Sequence, residues 1–290
     1  MYINDNQNIM KPNKLFIASS VIALALCGCN HKSKENNALS TETFAYTDSC
    51  KYANVIVKAE VPLAANSVSA AIRAELISIV KNALARDYED AVTPEFEGDA
   101  NDMQEMLKYY CGEKYKRYVA NSREDAVTRE AEDYIFTYEY EMNVQKDKET
   151  DDYVVFQCFE YAFLGGAHGG VFGEGPVVFS KKDGSRLITA IDTSNVLSIQ
   201  PLLKEGLNTY FFEESGVPNE GDLFDYLLLN DSIIPLPAYI PYPDGDSIVF
   251  VYQQYEIAAY AAGMPAFKLP ISKVKPYLTS QAINVFGIND

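Results

Sequence analysis

Across residues 134–144 the chain alternates. Tyr134, Phe136, Tyr138, Tyr140, Met142 and Val144 share one face, and Thr137, Glu139, Glu141 and Asn143 the other. This period of two predicts a half-buried antiparallel strand, because successive strand side chains point to opposite sides. The polar stretch QKDKETDD predicts a turn, and YVVFQCFEYAFL, apolar on both faces, a more central partner strand. VVFSKKDGSRLI predicts a further hairpin turning at Asp183-Gly184, since glycine tolerates the positive φ of tight turns. KYANVIVKAEV, SIVFVY and AFKLP read as additional strands.

Elsewhere the period is helical. Val68, Ile72, Leu76, Ile79, Val80, Ala83 and Leu84 recur at 3–4-residue spacing behind a capping residue, Asn66 or Ser67, with Arg73, Glu75, Lys81 and Arg86 mainly on the opposite side. Met103, Met106, Leu107, Tyr110, Cys111, Tyr118 and Val119 predict a second helix. Leu197, Leu202, Leu203, Leu207 and Phe211 form the core face of a third, over 196–212, with Pro201 near its first turn, where it is tolerated. Shorter helices are expected at 222–229 and 272–277. The mixed order predicts an α+β fold: an antiparallel β-sheet of hairpins packed against amphipathic helices.

The N-terminus changes the picture from a plain globular domain to a targeted one. Lys11 and Lys14 precede an apolar run of about 12 residues, 15–26, too short to span a bilayer as a helix. Leu26-Cys27-Gly28-Cys29 follows, and resembles a bacterial lipobox with Cys29 as the lipidated residue. The expected organisation is a lipoprotein signal peptide at 1–28, a flexible tether at 29–50, and a domain whose halves are 51–160 and 161–290. Asn30 after the cysteine resembles outer-membrane sorting, so a lipid-anchored envelope protein is expected, with the membrane engaged through the anchor alone.

The formal charge is −17, and −18 once Asp5, Lys11 and Lys14 are removed with the signal. Such acidity argues against a nucleic-acid partner and favours a cationic one. Cys50, Cys111 and Cys158 remain beside the anchor, an odd number with no CxxC. With two histidines in the chain, no metal site or cofactor is expected. Glu95, Glu97, Asp99 and Asp102 lack EF-hand spacing.

Two motifs stand out. YAFLGGAHGG places His168 among Gly165, Gly166, Gly169 and Gly170, and YEIAAYAAG holds Tyr255, Glu256, Tyr260 and Gly263. Together with the VVFSKKDGSRL hairpin and the leucine-rich helix between them, they resemble the PdaC/RsiV-like domain. That domain is found in RsiV-type anti-sigma factors, in PdaC-type peptidoglycan deacetylases and alone in envelope lipoproteins. The resemblance covers roughly 161–278, and 51–160 more loosely. It implies an α+β fold and a binding role, with lysozyme, a basic protein, or peptidoglycan as the partner. Neither an anti-sigma segment nor the deacetylase motifs occur in these residues, so neither output is expected.

His168 has two readings. As a general acid or base of a cell-wall hydrolase it needs an orienting group, for which Glu174, Glu256, Tyr255 and Tyr260 are candidates. As a structural residue it needs only hydrogen bonds at a glycine-rich bend. No GxSxG nucleophile turn is present, and the structural reading requires less. For YEIAAYAAG the alternatives are an aromatic binding surface and a packed turn with Glu256 bonded to backbone.

Overall fold

The computed structural model describes residues 38–86, 93–99, 101–128, 136–165, 170–214 and 221–288. A five-stranded sheet is built from β1 (Thr41–Ser49), β2 (Ala53–Pro62), β3 (Tyr138–Glu149), β4 (Tyr153–Phe163) and β5 (Val171–Ser180), in that spatial order. Two helices, α1 (Ser67–Ala85) and α2 (Met103–Thr128), follow β2 and cover one face. The α+β reading holds. One pairing departs from an all-antiparallel sheet: β2 and β3 run parallel, because both helices intervene and return the chain to the same end.

β1 corrects the expected tether. Residues 41–49, assigned from composition to the flexible segment, pair along the whole of β2 from Thr41–Pro62 to Ser49–Asn54. Their alternation was hidden by polar threonines and aspartate on an edge strand exposed on one side. The segment is pinned at its start. The Leu39 N–H donates to Glu149 Oε1 at 2.7 Å, and Thr41 Oγ1 donates to Glu60 Oε1 at 2.6 Å.

Asn66 caps α1: its side chain accepts the Ser69 N–H at 2.9 Å, while Ser69 Oγ accepts the Asn66 N–H at 3.0 Å. Ile72, Leu76, Val80 and Leu84 are fully buried, the i, i+4 stripe expected of a core-facing helix. Arg73, placed by periodicity with the solvent side, instead reaches down to Glu42 and to the Pro62 carbonyl, at 2.6 and 2.8 Å. In α2 the stripe of Met103, Met106, Leu107, Tyr110, Cys111 and Tyr118 continues through a buried lysine, Lys114. Its Nζ donates to the Arg86 carbonyl at 2.9 Å and lies 4.4 Å from the Tyr140 ring centre.

β4 explains its doubly apolar sequence. Val154 and Phe156 face the helices, whereas Tyr153 and Val155 enter a second core on the other side. β4 is thus buried on both faces although it sits next to the edge. The second core holds α3 (Gln200–Asn208), a three-stranded antiparallel sheet of β6 (Tyr242–Asp244), β7 (Ser247–Val251) and β8 (Ala266–Pro270), and two short helices, α4 (Ile271–Val274) and α5 (Ser280–Val285). Pro201 sits in the first turn of α3, as its missing N–H permits. The helix expected over 222–229 is a single 3-10 turn at Leu223–Asp225, capped by Asp222. The last four residues of the helix expected over 196–212 wind instead into a π-helix, Thr209–Glu214.

The hairpin turn after β5 docks on α1. Gly184 adopts φ +78°, and a Cβ there would come 2.8 Å from the Val68 carbonyl. Only glycine meets both conditions. The two sheets are joined by Asp244, which pairs with Lys148 of β3 and with Lys268 of β8 at 2.6 Å.

Candidate functional site

The two sequence motifs meet in space. The glycine stretch leaves β4 at Gly165, which adopts φ +77° and packs against Phe136. Gly166, His168 and Gly169 lie outside the described residues, as does Cys29. The stretch re-enters the described chain at Gly170, directly ahead of β5. A Cβ on Gly170 would collide with the Tyr161 ring, so the close approach requires glycine. Tyr260 Oη donates to the Gly170 carbonyl at 3.0 Å. Glu174, considered as a partner for His168, belongs to β5, where its backbone pairs with Phe159.

The YEIAAYAAG segment follows β7 as a series of tight turns. Both oxygens of Glu256 accept from the backbone. Its Oε1 accepts the Ala238 N–H and its Oε2 the Gln253 N–H, both at 2.7 Å. The carboxylate therefore clamps the proline-rich loop before β6 to the turn after β7. Such charge-assisted bonds are about twice as strong as neutral ones, so each oxygen of this carboxylate holds a backbone segment in place. Gly263 adopts φ +72° and ends a 3-10 turn, while Tyr210 Oη donates to the adjacent Ala262 carbonyl at 2.6 Å.

Tyr255 differs from its neighbours. It has φ +63°, the one positive φ of any non-glycine residue among those described, and is 54% exposed. A bulky side chain in this region is strained by roughly 1–3 kcal/mol, and such strain clusters at functional positions. Its ring lies 5.6 Å from that of Tyr260, tilted by 41°. The result is an aromatic corner: one exposed ring standing on a second, whose hydroxyl anchors the end of the glycine stretch.

The three cysteines among the described residues, Cys50, Cys111 and Cys158, are free thiols. Burial pushes Cys111 up to about 12. Cys158 is likewise pushed up to about 12 by burial, with Glu160 adding to the effect and Arg186 opposing it. Both stay protonated near neutral pH and are poor nucleophiles. Cys50 is exposed; the little burial it has opposes the thiolate, but hydrogen bonds from Tyr115 and the backbone lower its pKa. The acidic loop before α2 serves that helix: Asp102 Oδ1 accepts the Glu105 N–H at 3.1 Å. Among the described residues no helix is long and apolar enough to cross a membrane.

A mixed sheet with helices on one face and a second core on the other, its two motifs sharing a corner, defines an α+β scaffold. Family models agree. Residues 55–170 match the model described as Deacetylase PdaC, and residues 235–272 match that of DUF3298, a protein family of unknown function. The chain thus carries a PdaC-type segment followed by a DUF3298-type segment, and the resemblance carried by its motifs is borne out. The fold is shared with two crystal structures of DUF3298 proteins. One, from Bacteroides fragilis NCTC 9343, has a TM-score of 0.63 at 17% identity, covering 85% of this chain and 96% of that one. The other, from Pseudomonas aeruginosa PAO1, has a TM-score of 0.56 at 13% identity, covering 84% and 96%. No curated protein matches the chain.

Proposed function

We propose that the protein is a non-enzymatic binding module of the bacterial cell envelope, lipid-anchored through Cys29 at the outer membrane, that engages a cationic protein of the lysozyme kind. The observation that carries this reading is Tyr255, a strained tyrosine held outward on Tyr260. Tyrosine offers a large apolar face with a polar tip at little entropic cost, which suits a contact surface. A formal charge of −17 supports attraction of a basic partner. Glu256, spent on two backbone N–H groups, serves the scaffold.

The test is a titration of the purified protein with a basic lysozyme and, separately, with soluble peptidoglycan fragments. Saturable binding to lysozyme that weakens as salt rises is expected. Saturable binding to the fragments alone would move the reading to a glycan ligand. Turnover of a cell-wall substrate that disappears in His168→Ala would replace it with the hydrolase.

A further inference from the structure

A cavity lies apart from the aromatic corner, between the end of α1, the middle of α2 and the helix-facing side of β3–β5. Its volume is about 520 Å³, within the range of small-molecule sites. Its depth comes from β5, which presents Gly173 and Gly175 where its neighbours carry side chains. Tyr239, from the proline-rich loop, closes over Gly175 so tightly that a Cβ there would collide with its ring. The Glu256 clamp on Ala238 fixes the loop one residue before Tyr239.

Two polar groups facing this space, Glu160 and Arg186, are incompletely used among the described residues. Glu160 accepts one hydrogen bond, from Tyr140 Oη to its Oε1 at 2.9 Å, which leaves its second oxygen open. Nε of Arg186 is buried without a hydrogen-bond partner. A buried donor on a charged group is costly unless an acceptor meets it. Arg186 and Glu160 both influence the Cys158 thiol, which lines the same cavity. No ion pair joins the two among the described residues. An arginine and a glutamate that line one space without pairing present a donor group and an acceptor to it.

We infer that this cavity binds a small zwitterion, an amino acid or short peptide, with its carboxylate on Arg186 and its ammonium on Glu160. The guanidinium fork matches a planar carboxylate in two parallel hydrogen bonds. The open Glu160 oxygen accepts from the ammonium, and the rings of Tyr140 and Tyr239 supply apolar walls. The site is separate from the Tyr255 corner, so either reading stands without the other.

Isothermal titration with L-alanyl-L-alanine and glycyl-L-tyrosine, each alongside its C-amidated and N-acetylated form, tests the inference. At least one free dipeptide is expected to bind saturably. Amidation should weaken it at least tenfold and acetylation severalfold, and Arg186→Gln should erase the difference between free and amidated forms. The capped probes test the same contacts without altering the protein, so a poorly folding variant does not decide the matter. No saturable binding of either free dipeptide up to about 10 mM, tenfold above a 1 mM dissociation constant, overturns the inference. Binding indifferent to both caps does so as well.

Discussion

Tyr260 donates its hydroxyl to the carbonyl of Gly170, 90 residues away, at 3.0 Å. This single bond ties the two conspicuous motifs of the sequence into one corner. Tyr260→Phe keeps the ring and removes the donor, leaving a carbonyl without its partner. A loss of about 1 kcal/mol is expected, read by urea denaturation. Hydrogen exchange should rise at the start of β5 and leave α1 unchanged.

Glu256 accepts two backbone N–H groups from separate segments. Glu256→Gln replaces one accepting oxygen with a donor that faces a donor. The expected cost is about 1.5–3 kcal/mol, the range for hydrogen bonds to a charged group. An unchanged urea midpoint in the variant would contradict this clamp.

The anchoring of β1 depends on pH. Burial disfavours the charge of Glu149, but Lys181, Lys146 and the Leu39 N–H outweigh it and hold the carboxyl below the usual glutamate range. Its folded pKa therefore lies below its unfolded value. The stabilisation is complete above the ordinary glutamate pKa of about 4.3 and is lost as pH falls through the lower folded value. Glu149→Gln should be less stable than the parent at pH 7, and the gap should close as the solution is acidified below that range. A gap that stayed constant to acid pH would show that the pairing with both lysines contributes nothing.

The thiols should separate by reactivity. Cys111 and Cys158, both held protonated to about 12, should resist brief alkylation of the native protein at pH 8, while exposed Cys50 reacts. Mass spectrometry of tryptic peptides reads the outcome. Rapid labelling of Cys158 in folded protein would contradict the raised pKa that its surroundings impose.

Much of this architecture was legible from spacing. The alternation around Tyr140, the stripe from Ile72 to Leu84 and the turn at Gly184 each follow from a local period or a backbone requirement. What escaped was non-local. β1 is polar because it lies at an edge, so its strand character becomes visible only in its pairing with β2. Lys114 reads as a solvent residue until the Arg86 carbonyl and the Tyr140 ring are placed around it. The motifs singled out Tyr255, Glu256 and Tyr260 but could not sort them. Their roles separate only through the positive φ of the first and the hydrogen bonds of the other two. Glu160 and Tyr239 belong to no motif, and Arg186 stands out in its hairpin by nothing but its charge; topology alone brings the three to one cavity.

The central claim is that the Tyr255 corner is a contact surface for a basic protein. Its most direct test is the affinity of the parent and of Tyr255→Asn for a basic lysozyme across a salt series. Asparagine tolerates the left-handed backbone, so the variant should be at least as stable as the parent. The account predicts saturable binding by the parent that weakens as salt rises, and at least tenfold weaker binding by the variant. Equal affinities for the two proteins, or no saturable binding by the parent at low salt, would contradict it.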